Sequence, residues 1–216
     1  MTKAILLGSI GVLIETSEMQ RKAFNQAFAE AGLAWEWSPE DYTIMLKKAG
    51  GRARIERFAK SLGTEVDAQA LHTRKSDIFQ DAMARGVTPR DGIVSTIKAA
   101  QNAGVALGFV TTTSQQNVSI ALSAARGITA DDFDFIGYDT MVNHVKPAPD
   151  IYDLALKELG LQPGDALAVE DSAISAEAAL SAGVRIIAFP GKYHKDDVFP
   201  AAKQRVDRLE PQHFGL

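Results

Sequence analysis

The sequence predicts an α/β fold, a doubly wound, Rossmann-like parallel sheet with an all-helical cap inserted after its first strand. Four short stretches are continuously apolar, which is typical of parallel strands covered by helices on both faces. Segments with helical periodicity follow most of these stretches, as in α/β folds. A long stretch after the first strand carries only helical patterns. These observations predict a core formed by residues 1–15 and 87–216, with residues 16–86 as the cap.

The core elements are predicted from apolar runs and their flanking residues. The strands are expected at residues 4–7, 105–110, 166–169 and 184–189, with residues 133–137 as a weaker candidate. Helices are expected at residues 114–125, 149–159 and 172–182. Pro149 is well placed to begin its helix, because proline is favoured in the first turn.

The insertion shows three or four helical patterns and no convincing strand. Its apolar residues recur at helical spacing over residues 19–31, 51–62 and 66–84. Hinges are expected near Glu15–Thr16 and at residues 86–88, where Gly86 precedes Val87 and Thr88. Trp35 and Trp37 lie between the first two helices and are interpreted as packing residues.

Composition excludes several classes of protein. The 216 residues carry a net charge of −4 without a long basic run, so neither nucleic acid nor an anionic membrane is the expected partner. The chain has no cysteine, which excludes disulfides and thiolate metal sites. No apolar stretch approaches the roughly 18 residues of a membrane span, and no signal peptide is evident. We therefore expect a cytoplasmic protein.

Hydroxyl groups follow the second strong strand candidate. Thr111, Thr112 and Thr113 precede Ser114 and a helix. Ligands of open α/β sheets bind at the carboxyl ends of strands, and amides at a helix N-terminus suit a phosphate. The alternative is that Ser114 merely caps its own helix.

Lys146 and two acidic residues extend this candidate site. Lys146 is closely followed by two prolines and offers a positive charge to a phosphate; the alternative is a solvated loop lysine. Glu170 and Asp171 follow a buried strand and suit Mg²⁺, which binds carboxylate, water and phosphate oxygens. The alternative is that Asp171 or Ser172 caps the next helix.

The order and spacing of these motifs resemble the haloacid dehalogenase (HAD) superfamily. The stretches Lys146–Tyr152, Val169–Ser172 and Thr111–Ser114 are similar to those of its β-phosphoglucomutase and CbbY-type sugar-bisphosphate phosphatase subfamily. Residues 49–54 resemble the Gly-Gly-Lys-Glu-Arg turn of the CbbY cap, and residues 24–25 and 72–75 also look like CbbY positions. The resemblance covers nearly the whole chain.

The resemblance implies phosphoryl transfer to a loop aspartate, with a second aspartate two residues later as general acid and base. It implies Mg²⁺ as cofactor and phosphate contacts from Thr111, Thr112 and Lys146. It also implies a mobile cap that recognises the sugar, with Arg52 contributing a positive charge. The implied ligand is a small phosphorylated metabolite such as a sugar phosphate.

This sequence departs from the family pattern in the first loop. The resemblance places the nucleophile at Gly8 and the acid/base at Ile10, while Gly11, Val12 and Leu13 stay in register. Two further family positions, a Glu and a His that help hold substrate, fall on Ser17 and Gln20.

The loss of both loop aspartates predicts an enzyme without ordinary turnover. Losing a nucleophile costs on the order of 10⁶ in kcat in a protease where this was measured. Glu170 and Asp171, with the Ile10 carbonyl, would leave a weak Mg²⁺ site. Ser9 is not expected to substitute, because neighbouring residues of an extended chain point to opposite faces and no histidine is placed beside it.

Three functions remain open at this point. The first is a catalytically impaired CbbY-like protein that retains a phosphate or sugar-phosphate pocket. The second is an active phosphatase with rewired chemistry. The third is a regulatory or interaction protein without a small ligand. The three retained motifs favour the first over the third.

Overall fold

The computed structural model describes residues 2–46, 48 and 50–216. The family-like turn at residues 49–54 was singled out above, and its Ala49 lies outside the described residues. The chain divides into two compact units, residues 1–15 with 86–216 and residues 16–85. Each unit is described by itself below.

The larger unit contains a parallel sheet of six strands, which confirms the predicted fold class. The strands are β1 Ala4–Leu7, β2 Ala106–Val110, β3 Phe135–Gly137, β4 Ala166–Glu170, β5 Arg185–Ala188 and β6 Gln204–Arg205. They follow the order β3-β2-β1-β4-β5-β6, with β1 in the middle of the sheet. Every residue of β1 and β4 is buried, because helices cover the sheet.

Five helices belong to the described residues of this unit. They are α1 Ile10–Leu13, α6 Ile93–Asn102, α7 Gln115–Ala124, α8 Asp150–Leu159 and α9 Ala173–Ser181. Four short 3₁₀ helices accompany them at Ala130–Asp132, Asp139–Met141, Pro163–Asp165 and Pro211–Phe214. The predictions for α7, α8 and α9 are correct to within a residue or so at each end, whereas α1, α6 and β6 were not predicted.

The smaller unit is helical over its described residues. Its helices are α2 Ser17–Glu30, α3 Pro39–Leu46, α4 Gly51–Ser61 and α5 Ala68–Ala84. The aromatic rings of α2 pack on the segment that follows it: Trp37 is fully buried, with its ring 4.7 Å from Phe24 and 4.9 Å from Phe28. This agrees with the packing role predicted for Trp37.

Among the helices of the described residues, none combines the length and the apolar character needed to cross a bilayer.

Candidate functional site

The carboxyl ends of the three central strands carry the residues predicted for the site. Gly8 directly follows β1, and its amide donates to the Val169 carbonyl at 3.0 Å, which continues the pairing with β4. Thr111 follows β2, and Glu170 ends β4. Because the strands are parallel, these residues lie at one edge of the sheet.

Lys146 is buried rather than solvated, so the alternative of a solvated loop lysine is wrong. Its side chain is 6% exposed, and its ammonium lies 2.7 Å from Glu170 Oε1. The same ammonium donates to the Gly8 carbonyl at 2.5 Å. Lys146 therefore joins the loop before α8 to the ends of β1 and β4.

Tyr152 completes this cluster from the first turn of α8. Its hydroxyl donates to Glu170 Oε1, the oxygen that also accepts from Lys146. Burial raises the pKa of the Tyr152 hydroxyl well above its usual value, and the neighbouring Glu170 raises it further. Tyr152 is thus a proton donor to the carboxylate at neutral pH.

Glu170 is completely buried. Burial raises the pKa of its carboxyl above the usual value, and the charge of Lys146 opposes that rise. Its second oxygen, Oε2, is buried and has no hydrogen-bond partner among the described residues. The side chain is therefore held through one oxygen only. Burying the other oxygen without a partner costs free energy.

The Glu170 carboxyl group occupies the space next to Gly8. A Cβ atom on residue 8 would collide with Glu170 Cδ and both of its carboxylate oxygens. Gly8 adopts no left-handed backbone conformation, so glycine is favoured here by this close approach and not by the backbone. Position 8 and Glu170 thus compete for one volume.

The neighbouring Ser9 contacts the other acidic residue. Its hydroxyl donates to Asp171 Oδ1 at 2.8 Å and accepts from the Val12 amide at 3.2 Å. No base was predicted beside Ser9, because only histidines were weighed as partners; the Asp171 carboxylate is the group that contacts it. Ile10, the next residue, is half-buried.

Ser172 occupies the N-cap position of α9, but neither its side chain nor that of Asp171 caps the helix, so that alternative is also wrong. The Ser172 side chain makes no capping hydrogen bond, and the Asp171 carboxylate is turned to Ser9. Instead, Asp197 accepts from the Ala173 amide at 2.9 Å. A carboxylate from a distant loop satisfies the helix terminus, and Asp171 remains available to the loop after β1.

Arg90 fixes the loop that carries Gly8 to Gly11. Its guanidinium donates to the carbonyls of Gly11, Phe189 and Pro190, at 2.8, 2.9 and 2.7 Å. It also lies 3.4 Å from the centroid of the Phe189 ring. The loop after β1 is therefore tied to the segment after β5.

The threonines after β2 lie at the same sheet edge but are not joined to the Lys146 cluster. Thr111 is 5% exposed, and its hydroxyl oxygen accepts from the Thr113 amide at 3.3 Å. Thr112 is half-buried. In the described part of the chain, no hydrogen bond connects Thr111 or Thr112 to Lys146. Ser114 caps α7 by accepting from the Asn117 amide, as the alternative for that residue proposed.

In the arrangement shown, the residues at this edge offer Mg²⁺ few free oxygen ligands, of which Glu170 Oε2, unpartnered among the described residues, is one. One carboxylate, Glu170, already faces the Lys146 ammonium at 2.7 Å, and the other, Asp171, accepts from Ser9. Gly8 adds no oxygen ligand from a side chain. No group of three or more His, Cys, Asp or Glu side chains suited to a metal occurs within residues 2–46, 48 and 50–216. A hard divalent cation prefers several free oxygen ligands, and here a lysine provides the positive charge.

The helical unit carries its own concentration of positive charge. Arg52 is exposed and pairs with Glu56 at 3.2 Å. Arg54 and Lys75 are instead buried, and the Lys75 ammonium lies 4.8 Å from the centroid of the Phe24 ring. Lys75 also donates to Gln20 at 2.7 Å.

Burial and the repulsion between neighbouring positive charges lower the pKa values of basic side chains in this unit. Burial lowers the pKa of Lys75 to about 8, with a smaller effect from Arg54. Burial also lowers the pKa of His72, followed by the charge of Lys75. Arg52 was predicted as the cap cation. Arg54 and Lys75 lie in the family-like stretches 49–54 and 72–75, but their burial was not predicted, since a single sequence does not show which charged side chains turn inward.

Comparison with known proteins is consistent with this architecture. The sequence profile of the haloacid dehalogenase-like hydrolases matches residues 11–189. Protein CbbY of Cereibacter sphaeroides is 40% identical over 212 residues, covering 96% of this chain and 92% of that protein. Protein CbbY of Rhodobacter capsulatus is 37% identical over 212 residues, covering 96% of this chain and 93% of that protein.

Solved structures give the same result. The crystal structure of CbbY from Rhodobacter sphaeroides in complex with phosphate superposes with a TM-score of 0.79 at 39% identity, covering 96% of this chain and 95% of that one. A variant of the same protein, in complex with xylulose-(1,5)bisphosphate, matches equally well. A β-phosphoglucomutase-like protein from Thermotoga maritima shares the fold, with a TM-score of 0.79 at 20% identity over 99% of this chain and 96% of that one. The chain therefore belongs to the haloacid dehalogenase-like hydrolase family, close to its CbbY proteins.

Proposed function

We propose that this protein binds a phosphorylated sugar at the carboxyl edge of its core sheet without a metal ion, and that its phosphatase turnover is strongly impaired. The observation that carries the proposal is the position of Lys146. Its ammonium is held against the Gly8 carbonyl at the end of β1, where the loop has no carboxylate of its own. A cation at this edge favours an anion, whereas the missing loop carboxylates remove the groups that family chemistry requires.

The CbbY relatives support the class of ligand. CbbY of Rhodobacter sphaeroides binds phosphate, and its variant binds xylulose-(1,5)bisphosphate. The matched region covers 96% of this chain. The buried cations of residues 16–85 favour an anionic ligand for that unit as well, because Lys75 has no carboxylate partner among the described residues.

The binding test is calorimetry and thermal unfolding with EDTA present. Wild type is titrated with inorganic phosphate and a panel of sugar phosphates, beside Lys146→Met and the exposed control Lys157→Met. A ligand at roughly one hundred times its Kd should stabilise the fold by about 2.7 kcal/mol. Lys146→Met should lose this gain and Lys157→Met should keep it. If millimolar ligands give neither heat nor a thermal shift with wild type, the binding proposal fails.

The proposed loss of phosphatase turnover is tested with the same panel of sugar phosphates in the presence of Mg²⁺. We expect no turnover above a heat-inactivated control. Gly8→Asp combined with Ile10→Asp should add two carboxylates to Glu170 and Asp171, with the flexible Glu170 side chain shifting to admit residue 8. This should restore Mg²⁺ affinity, seen as a metal-dependent rise in Tm. A double variant indifferent to Mg²⁺ would contradict the assignment of these two positions.

A second candidate function rests on the hydrogen bond between Ser9 and Asp171. A serine that donates to a carboxylate resembles a nucleophile paired with a base, and it would make the protein an active hydrolase with rewired chemistry. If wild type shows robust turnover that disappears in Ser9→Ala, this function is established and the proposal of impaired turnover is overturned.

A further inference from the structure

The Lys146 ammonium already has an anion in contact. This anion is the Glu170 carboxylate, which lies 2.7 Å from the ammonium. The Glu170 side chain is 0% exposed and the Lys146 side chain is 6% exposed. Two opposite charges this close in a buried site largely cancel. A phosphate that approaches Lys146 therefore meets a cation whose charge is neutralised.

The glycine at position 8 makes this arrangement sterically feasible. A side chain there would collide with the Glu170 carboxyl group. The chain thus places a carboxylate from the end of β4 in the volume beside β1, where it contacts both Lys146 and Tyr152.

The Glu170 carboxylate is incompletely held. Its Oε1 accepts from both Lys146 and Tyr152, whereas Oε2 has no partner in the described part of the chain. Displacing Glu170 breaks the hydrogen bonds of one oxygen only, and it frees the other oxygen from a buried position without a partner. A carboxylate bonded through both oxygens would be harder to displace.

From these three observations we propose that Glu170 is a built-in competitor for the phosphate site, which an incoming phosphate must displace from Lys146. The inference rests on the proposed function, because it concerns the same cation. The site then has two forms, one with Glu170 on Lys146 and one with Lys146 released. The apparent affinity for phosphate is the intrinsic affinity reduced by the fraction of the released form.

The test is the affinity for inorganic phosphate, measured by calorimetry at constant pH with EDTA. Glu170→Gln keeps the shape and an acceptor for Tyr152 but removes the competing charge, so its affinity should rise at least about tenfold over wild type. Glu158→Gln, an exposed carboxylate of α8, is the matched control and should bind like wild type. Circular dichroism checks that each variant is folded.

A second variant and a spectroscopic signal keep the test decisive if Glu170→Gln folds poorly. Tyr152→Phe removes one donor to Glu170 and leaves its charge, so phosphate affinity should rise by a smaller factor. In wild type, phosphate should also perturb the near-ultraviolet absorption of tyrosine, because Tyr152 loses its carboxylate acceptor. Tyr152→Phe should lack that change.

The outcomes separate the two proposals. Tighter binding by Glu170→Gln or Tyr152→Phe supports the competitor, even if wild type alone binds too weakly to detect and the proposed function fails. If wild type binds phosphate through Lys146, but neither variant binds more tightly and no tyrosine signal appears, the competitor is overturned and the proposed function stands. If no form of the protein binds phosphate, both proposals are overturned.

Discussion

Removing the charge of Lys146 should destabilise the core, and removing the charge of Glu170 as well should restore part of the loss. At 2.7 Å and an effective dielectric constant of about 20, the gross attraction of the pair is about 6 kcal/mol. Lys146→Met leaves the fully buried Glu170 with Tyr152 as its donor, which should cost about 3–5 kcal/mol. Adding Glu170→Gln should recover about 2 kcal/mol, because a neutral amide needs no counter-charge.

The assay must report on the correct unit. Both tryptophans, Trp35 and Trp37, lie in residues 16–85, so their fluorescence follows the helical unit. Far-ultraviolet circular dichroism in urea, with hydrogen exchange of the β4 amides, reports on the sheet instead. A double variant no more stable than Lys146→Met would refute the reasoning, since Glu170 would then not be the charge left unpaired.

Two further predictions concern stability. Lys75 has a folded-state pKa of about 8 against an ordinary 10.5, so between these pH values the unfolded chain holds a proton that the folded chain lacks. Relative to Lys75→Met, wild type should gain up to about 3 kcal/mol as pH rises through this window, measured by urea unfolding with tryptophan fluorescence; parallel pH profiles would contradict it. Gly92→Ala should cost at least about 3 kcal/mol, because Gly92 has φ +83° and its Cβ would strike the Leu209 carbonyl. Gly104→Ala, with φ +66° and open space, should cost about 1 kcal/mol, and equal losses in thermal melts would rule out the collision.

The sheet was predictable from sequence because its central strands are buried on both faces. Strands such as β1 and β4 contain almost only apolar residues, and that pattern is local. The strand β6 has two exposed polar residues, and α1 has four residues, so neither carries a periodic signal. For α6 the signal exists, since its buried Ile93, Ile97 and Ala100 recur at helical spacing, and it was overlooked.

For the candidate site, the sequence predicted which residues belong to it but not which of them contact one another. Motif order indicated that Lys146 and Glu170 belong to one edge of the sheet. Three features depend on contacts between residues far apart in sequence: the burial of Lys146, the hydrogen bond from Tyr152 to Glu170 and the hydrogen bond from Ser9 to Asp171. Such contacts leave no local pattern in a single chain.

The exclusion between position 8 and Glu170 has an evolutionary consequence. The effect of a substitution at Gly8 depends on the residue at position 170, so the two positions are epistatic. A larger residue introduced at position 8 alone meets a carboxylate already in place, and an acidic residue there adds a second charge against one lysine. The atoms in the way are the far end of a flexible side chain, so the barrier depends on how freely Glu170 can shift. A substitution at position 8 therefore carries a cost that is set at position 170.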